Sequence, residues 1–133
     1  MTKPSFAAGA LLIALAALLA GCAVPPPPAP TGLLDVTDRP AEKALLAGLS
    51  AYEDAQYALA ETQLGLALRT GLASPRDRAA AHKNLAFIYC TSDRFKACET
   101  AFRAAREADP GFTLSKAEAG HPRWGPVYQR LRQ

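Results

Sequence analysis

Hydrophobic and polar positions divide the chain into three parts. Residues 6–20 (FAAGALLIALAALLA) carry no charge, and residues 25–28 are four consecutive prolines. From residue 41 onward apolar residues recur among charged ones, most regularly at Trp124, Val127, Tyr128 and Leu131. These four stand at i, i+3, i+4 and i+7, the spacing of one helical face. The pattern predicts an all-α domain behind an apolar leader and a proline-rich segment.

The apolar leader has the layout of a secretory signal. Lys3 and the amino terminus give a short positive start, the run 6–20 follows, and small residues come after it. The alternative is a transmembrane anchor, since the uncharged run extends to Val24. It barely reaches the ~20 residues of a span, it is rich in Ala and Gly, and no basic cluster follows it. These features favour an export signal.

The end of the leader, Leu19-Ala20-Gly21-Cys22, resembles the lipobox of bacterial lipoproteins. The resemblance implies a lipoprotein signal peptide over 1–21, cleavage before Cys22 and a lipid on its thiol. The alternative is an ordinary signal peptide with an incidental cysteine. Two or more acyl chains anchor a protein stably where one is reversible. In proteobacterial lipoproteins Ala23, rather than Asp, after the cysteine implies sorting to the outer membrane.

Residues 22–40 are predicted to be a tether between the lipidated Cys22 and the domain. Consecutive prolines favour a polyproline II rod rising ~3.1 Å per residue, and a disordered linker would also separate the domain from the bilayer. The chain carries 15 Lys and Arg against 12 Asp and Glu, and cleavage after residue 21 removes only Lys3 from these. This near balance gives no case for nucleic acid as a partner. Residues 41–133 suffice for one small domain.

Two segments in that domain carry small and large apolar residues at the places of the tetratricopeptide (TPR) repeat, a helix–turn–helix unit of about 34 residues. The segment 79–112 departs from the pattern at His82 and Cys98. The segment 41–74 matches less completely, lacking the closing proline. Ser74 and Pro75 between the copies predict an early start for the next helix. The matching places are Gly48, Tyr57, Ala60, Leu64 and Ala67 in the first segment, and Leu85, Ala86, Tyr89, Phe102, Ala105 and Pro110 in the second.

Residues 113–133 are predicted to cap the array, because about three repeats are needed for stability and this chain has two. Ser115 and Glu118 have capping-box spacing, and Gly120 would end that short helix. Pro126 suits the first turn of a last helix, which presents the apolar stripe. The alternative is that Trp124, the only tryptophan, belongs to a surface that binds a partner.

Cys90 and Cys98 are predicted to form a disulfide. An exported protein meets oxidising conditions, and antiparallel helices bring these two positions opposite each other. Two free buried thiols are the alternative. A metal site is not expected, because His82 is the only nearby imidazole and no CxxC occurs.

The sequence does not indicate an enzyme. A nucleophile needs a base within reach, yet the cysteines are assigned to a bridge and His82 to helix packing. His121 lies between Gly120 and Pro122 in a predicted loop, and no glycine-rich phosphate loop occurs. No cofactor and no small-molecule substrate are expected, apart from the lipid on Cys22.

Binding of a protein partner is the function that remains. TPR arrays present a concave surface from the first helix of each repeat, so its exposed places would form a groove. The groove is mostly apolar with one cation, which favours an apolar segment of a protein. The predicted groove residues are Leu45, Leu49, Tyr52, Glu53, Lys83 and Phe87.

The combination resembles the TPR lipoproteins associated with type VI secretion in beta-proteobacteria (TssQ-like). The specific features are Ile88-Tyr89-Cys90 followed by Cys98, and the tail from Leu114 to Tyr128 with its His-Pro-Arg-Trp-Gly-Pro run. The resemblance implies an adaptor with protein partners in that envelope machine, at the periplasmic face of the outer membrane. The alternatives are an assembly factor for pilus or outer-membrane proteins, or a lipoprotein that binds a peptidoglycan-type ligand.

Overall fold

Six α-helices follow one another in residues 39–132, the part of the chain that the computed structural model describes. No strand occurs in that range, so the all-α prediction is confirmed. None of these helices is long and apolar enough to cross a membrane. The predicted signal peptide (1–21), Cys22 and nearly all of the linker lie outside the described residues. The helices are α1 (Pro40–Glu53), α2 (Tyr57–Thr70), α3 (Pro75–Thr91), α4 (Phe95–Ala108), α5 (Lys116–Ala119) and α6 (Gly125–Arg130).

Local sequence signals explain several helix ends. The Ser74 hydroxyl accepts a hydrogen bond from the Asp77 amide, and Pro75 begins α3, where a missing N–H costs nothing. The early start predicted for α3 is therefore confirmed. Gly71, at φ 100°, ends α2 in the left-handed conformation. Ser115 and Glu118 form both bonds of the predicted capping box at the start of α5.

The helices form two pairs, α1 with α2 and α3 with α4. The pairs have the same register: α1 ends at position 53 and α3 at position 91, and α2 spans 57–70 where α4 spans 95–108. Their turns also match, because Ala55 and Asp93 both have positive φ (58° and 60°). In each turn the next amide donates to a carbonyl five residues earlier at 2.8 Å. The chain thus contains an internal structural repeat.

Small residues let the helices of each pair approach closely. A Cβ added at Gly48 would lie 2.7 Å from Leu64 Cγ and 3.0 Å from the Leu64 amide nitrogen, so only glycine fits there without a shift. Leu64 of α2 therefore packs directly against Gly48 of α1. The second pair has Ala86, Cys98 and Ala105 fully buried. α3 packs against both α1 and α2, which joins the two pairs in one core.

The C-terminal segment covers the second pair, as predicted for a cap. α6 begins at Gly125 with Pro126 in its first turn and packs against α4. The Tyr128 ring lies 5.4 Å from the Phe102 ring, centroid to centroid, and its hydroxyl accepts a hydrogen bond from the Leu114 amide at 3.1 Å. Trp124 is only 8% exposed. Its indole is therefore part of the cap and not of an open binding surface.

The predicted bridge between Cys90 and Cys98 is present. Their Cα atoms are 5.2 Å apart, within the range that a disulfide spans, and both residues are fully buried. The bridge fastens the last turn of α3 to the first turn of α4.

Candidate protein-binding surfaces

The six residues of the predicted groove differ in their exposure to solvent. Leu45 and Phe87 are buried, at 6% and 4% exposure, so the prediction that they are exposed is wrong. Leu45 belongs to the core beneath α1. Phe87 is covered because Trp124 of the cap stacks on it, with ring centroids 4.2 Å apart. Leu49, Tyr52 and Lys83 are half-buried, and Glu53 is exposed.

Four aromatic rings nevertheless form a continuous row across this side of the molecule. Their centroids are 5.6 Å apart from Tyr57 to Tyr52, 6.4 Å from Tyr52 to Phe87 and 4.2 Å from Phe87 to Trp124. We call these four residues the aromatic row. It crosses four parts of the chain, and its Tyr57 end is 46% exposed. The row is therefore covered at the cap and open at the turn between α1 and α2.

Lys83, the cation of the predicted groove, is already neutralised. Its Nζ lies 2.7 Å from Glu118 Oε1 and 5.6 Å from the centre of the Phe87 ring. Burial works to raise the pKa of Glu118, but hydrogen bonds from Lys83 and Ser115 outweigh it and lower the pKa. The surface therefore offers a partner no free cation at Lys83.

Tyr52 supplies the polar chemistry of the row. Burial, with Tyr57 and the Glu118 carboxylate acting in the same direction, raises the pKa of its phenol above the usual value. Tyr52 is therefore a neutral hydroxyl at physiological pH, able to donate a hydrogen bond from an apolar setting. Tyrosines of this kind dominate the binding energy of many protein interfaces. Among residues 39–132 no three His, Cys, Asp or Glu side chains are grouped to hold a metal ion.

A second concave surface lies on α3, between α2 and α4. We call it the outer groove; it has a volume of about 800 Å³. The sequence assigned His82 to helix packing, and the structure leaves it half-buried, with part of its surface lining this groove. Burial lowers the pKa of His82, and the carboxylate of Glu107 opposes the shift. The groove is lined by Glu61, His82, Leu85, Tyr89, Asp93, Arg94, Phe95, Lys96, Ala97, Thr100, Ala101 and Ala104.

One end of the outer groove is fixed by a bidentate ion pair. Arg94, in the turn between α3 and α4, donates to both carboxylate oxygens of Glu61 at 2.9 and 2.7 Å. The Arg94 guanidinium also lies 4.5 Å from the centre of the Tyr89 ring. Hydrogen bonding from Arg94 lowers the pKa of Glu61 although partial burial opposes it. The pair holds α2 beside the second helix pair.

The sequence contains one signal for the outer groove that the repeat pattern does not use. Ala97, Thr100, Ala101 and Ala104 share one side of α4. Small side chains in such a row are typical of a helix side that packs closely against another helix.

Comparisons of the chain with protein-family models, with curated proteins and with solved structures found no match.

Proposed function

We propose that this chain is a membrane-anchored adaptor in which two TPR-like repeats and a capping helix bind a segment of a protein partner. The observation that carries the proposal is the aromatic row, in which Trp124 covers Phe87, Tyr52 is half-buried and Tyr57 is exposed. Such a surface offers apolar area together with tyrosine hydroxyls, and an apolar segment of a protein can use both.

The repeat assignment is supported by the shared register of the helix pairs. Helix boundaries and turn conformations recur at one constant offset, from 53 to 91, from 57 to 95 and from 70 to 108. This offset is slightly longer than the TPR consensus of about 34 residues. Residues 75–78 supply the additional length. Measured back from the loop that follows each helix, α3 begins about one helical turn earlier than α1. Stacked repeats of this kind create the extended concave surfaces that repeat proteins use for binding.

The anchor is proposed from the lipobox-like residues at Cys22 and the prolines that follow. Together they would hold the domain near the outer membrane, where a high local concentration of partner offsets the modest area of a two-repeat surface. The envelope machine served would be the type VI secretion apparatus, in keeping with the resemblance of the Cys90–Cys98 spacing and the C-terminal tail.

Site-specific crosslinking tests the aromatic row. A photoreactive amino acid at Tyr57 in the full chain, in cells that express it, should trap a discrete protein, because this ring is the open end of the row. The same probe at Leu66 is the matched control, since Leu66 is also on α2 and 42% exposed. The trapped protein, once identified and purified, should lose affinity for the Tyr52→Ala chain by about tenfold or more. Capture of glycan alone, or equal capture at Leu66, would refute a protein partner at this surface.

The lipid anchor has its own test in membrane fractionation. The full chain should sediment with the outer membrane, and Cys22→Ala should release it to the soluble fraction or retain it with an uncleaved leader. A Cys22→Ala chain that still appears, cleaved, in the outer membrane fraction would remove lipidation from the proposal.

A further inference from the structure

We infer that the outer groove is filled by α4 of a second copy of this chain, with the two α4 helices antiparallel about a two-fold axis. This surface is separate from the aromatic row. The inference therefore does not depend on the anchor or on the identity of any other partner.

The shape of the groove suits a helix of this kind. Its floor is the side of α3 that carries His82, Leu85 and Tyr89, and its wall is the small-residue side of α4. Side chains no larger than threonine at positions 97, 100, 101 and 104 allow two helix backbones to approach closely. The wall of the groove is α4 itself. Two copies can therefore place their α4 helices against each other, and each α4 also contacts α3 of the other copy. The contact is the same patch on both copies, which closes as a dimer and does not propagate.

Charge complementarity identifies the second copy as the occupant. Lys96 lines the groove, and Glu107, further along α4, lies beyond the lining but near enough to act on His82 of the floor. Both side chains are exposed. Eleven residues are about three turns, so the two side chains share a helix face ~16 Å apart. A second α4 running antiparallel would present its Glu107 to Lys96 in the groove, and its Lys96 to Glu107 just beyond the groove. Both contacts form at once only with a helix that has this spacing, and α4 itself has it.

The other charged side chains that line the groove are paired within the copy, Arg94 with Glu61 and Asp93 with Arg123. Elsewhere on α4, Arg103 pairs with Glu99, and Arg106 donates a hydrogen bond to the Leu131 carbonyl. None of the ion pairs among residues 39–132 includes Lys96 or Glu107, although Glu107 acts on His82 at the far end of the groove. These two side chains are therefore available to a partner. In an antiparallel dimer they would form two ion pairs, each between Lys96 of one copy and Glu107 of the other.

Charge reversal and its compensation test the inference. The full chain in detergent is examined by sedimentation over a range of concentrations, and the wild type should show a reversible monomer–dimer equilibrium. Lys96→Glu and Glu107→Lys should each raise the dimer dissociation constant by about tenfold or more, since each brings like charges together at both ends. The double variant should return to within about threefold of the wild type. Lys43→Glu is the control, because Lys43 is an exposed lysine on α1 and the charge change is the same.

Three results would overturn the inference. The first is a wild type that stays monomeric to about 1 mM, a concentration at which even the weakest specific association is populated. The second is a double variant as weak as the single ones. The third is an equal effect of Lys43→Glu, which would reflect net charge alone. Circular dichroism melting of each variant shows that the monomer remains folded, so that loss of the dimer is not loss of the fold.

A crosslink tests the two-fold arrangement itself. Thr100 is exposed at the middle of the wall, where an antiparallel pair brings residue 100 of both copies near the axis. Thr100→Cys should give a disulfide-linked dimer under mild oxidation. Leu66→Cys should give no more disulfide-linked dimer than the wild type does. The wild-type chain measures any crosslinking through Cys22. A dimer that Thr100→Cys does not crosslink would refute this arrangement.

Discussion

Replacing Phe102 with alanine should lower the free energy of unfolding by roughly 3–5 kcal/mol. Phe102 is fully buried, and its ring contacts both Phe87 of α3 and Tyr128 of the cap, with centroids 6.0 and 5.4 Å away. Truncation leaves a cavity where three parts of the core meet, and the surrounding helices can close it only in part. Urea unfolding of the full chain, followed by the fluorescence of its single tryptophan, Trp124, measures the loss.

Phe95→Ala is the matched control, because it makes the same substitution on the same helix. Phe95 stands at the first position of α4 and is 44% exposed, so its loss should cost less than about 1 kcal/mol. Equal losses for Phe102 and Phe95 would contradict the packing described for the cap. A Phe102→Ala chain that unfolds in two steps, with Trp124 released first, would show that the cap separates before the helix pairs.

Reduction of the Cys90–Cys98 bridge should destabilise the folded chain by roughly 2.5 kcal/mol, the value that loop closure predicts for a short loop. The cysteines are eight residues apart, so the bridge restricts only a short stretch of the unfolded chain. The measurement compares urea midpoints of the wild type with and without reductant. Because both cysteines are fully buried, the reductant should act only at denaturant concentrations that open the fold.

The Cys90→Ala/Cys98→Ala chain provides the control for this prediction. It should unfold at the midpoint of the reduced wild type and should not respond to reductant, since alanine fits where these small buried side chains lie. A wild type whose midpoint and electrophoretic mobility are unchanged by reductant would show that the thiols are not bridged in solution.

The predictions that succeeded depend on residues close together in the sequence. The Ser74 cap, the capping box of Ser115 with Glu118 and the Cys90–Cys98 bridge each involve positions at most eight residues apart. Backbone geometry alone fixes such distances once the helices are assigned. The helical periodicity of the last segment likewise identified the buried face of the cap, including Val127 and Tyr128.

The open and covered surfaces could not be predicted in the same way. Phe87 is buried because Trp124 reaches it from the cap, and Lys83 is neutralised by Glu118, 35 residues away. The outer groove depends on Arg94 meeting Glu61 across 33 residues. These contacts follow from how the helix pairs and the cap pack together, which helical spacing does not specify. The repeat pattern predicted that the first helix of each pair forms the binding side, but the C-terminal segment covers Phe87 on α3.

The turn between α3 and α4 lies inside the loop that the Cys90–Cys98 bridge closes, and Ser92, Asp93 and Arg94 are all exposed there. A protease that cut this turn would produce two fragments that stay covalently joined. The nicked molecule would migrate as one species without reductant and as two with it. Scission at this exposed point would therefore leave the second helix pair together.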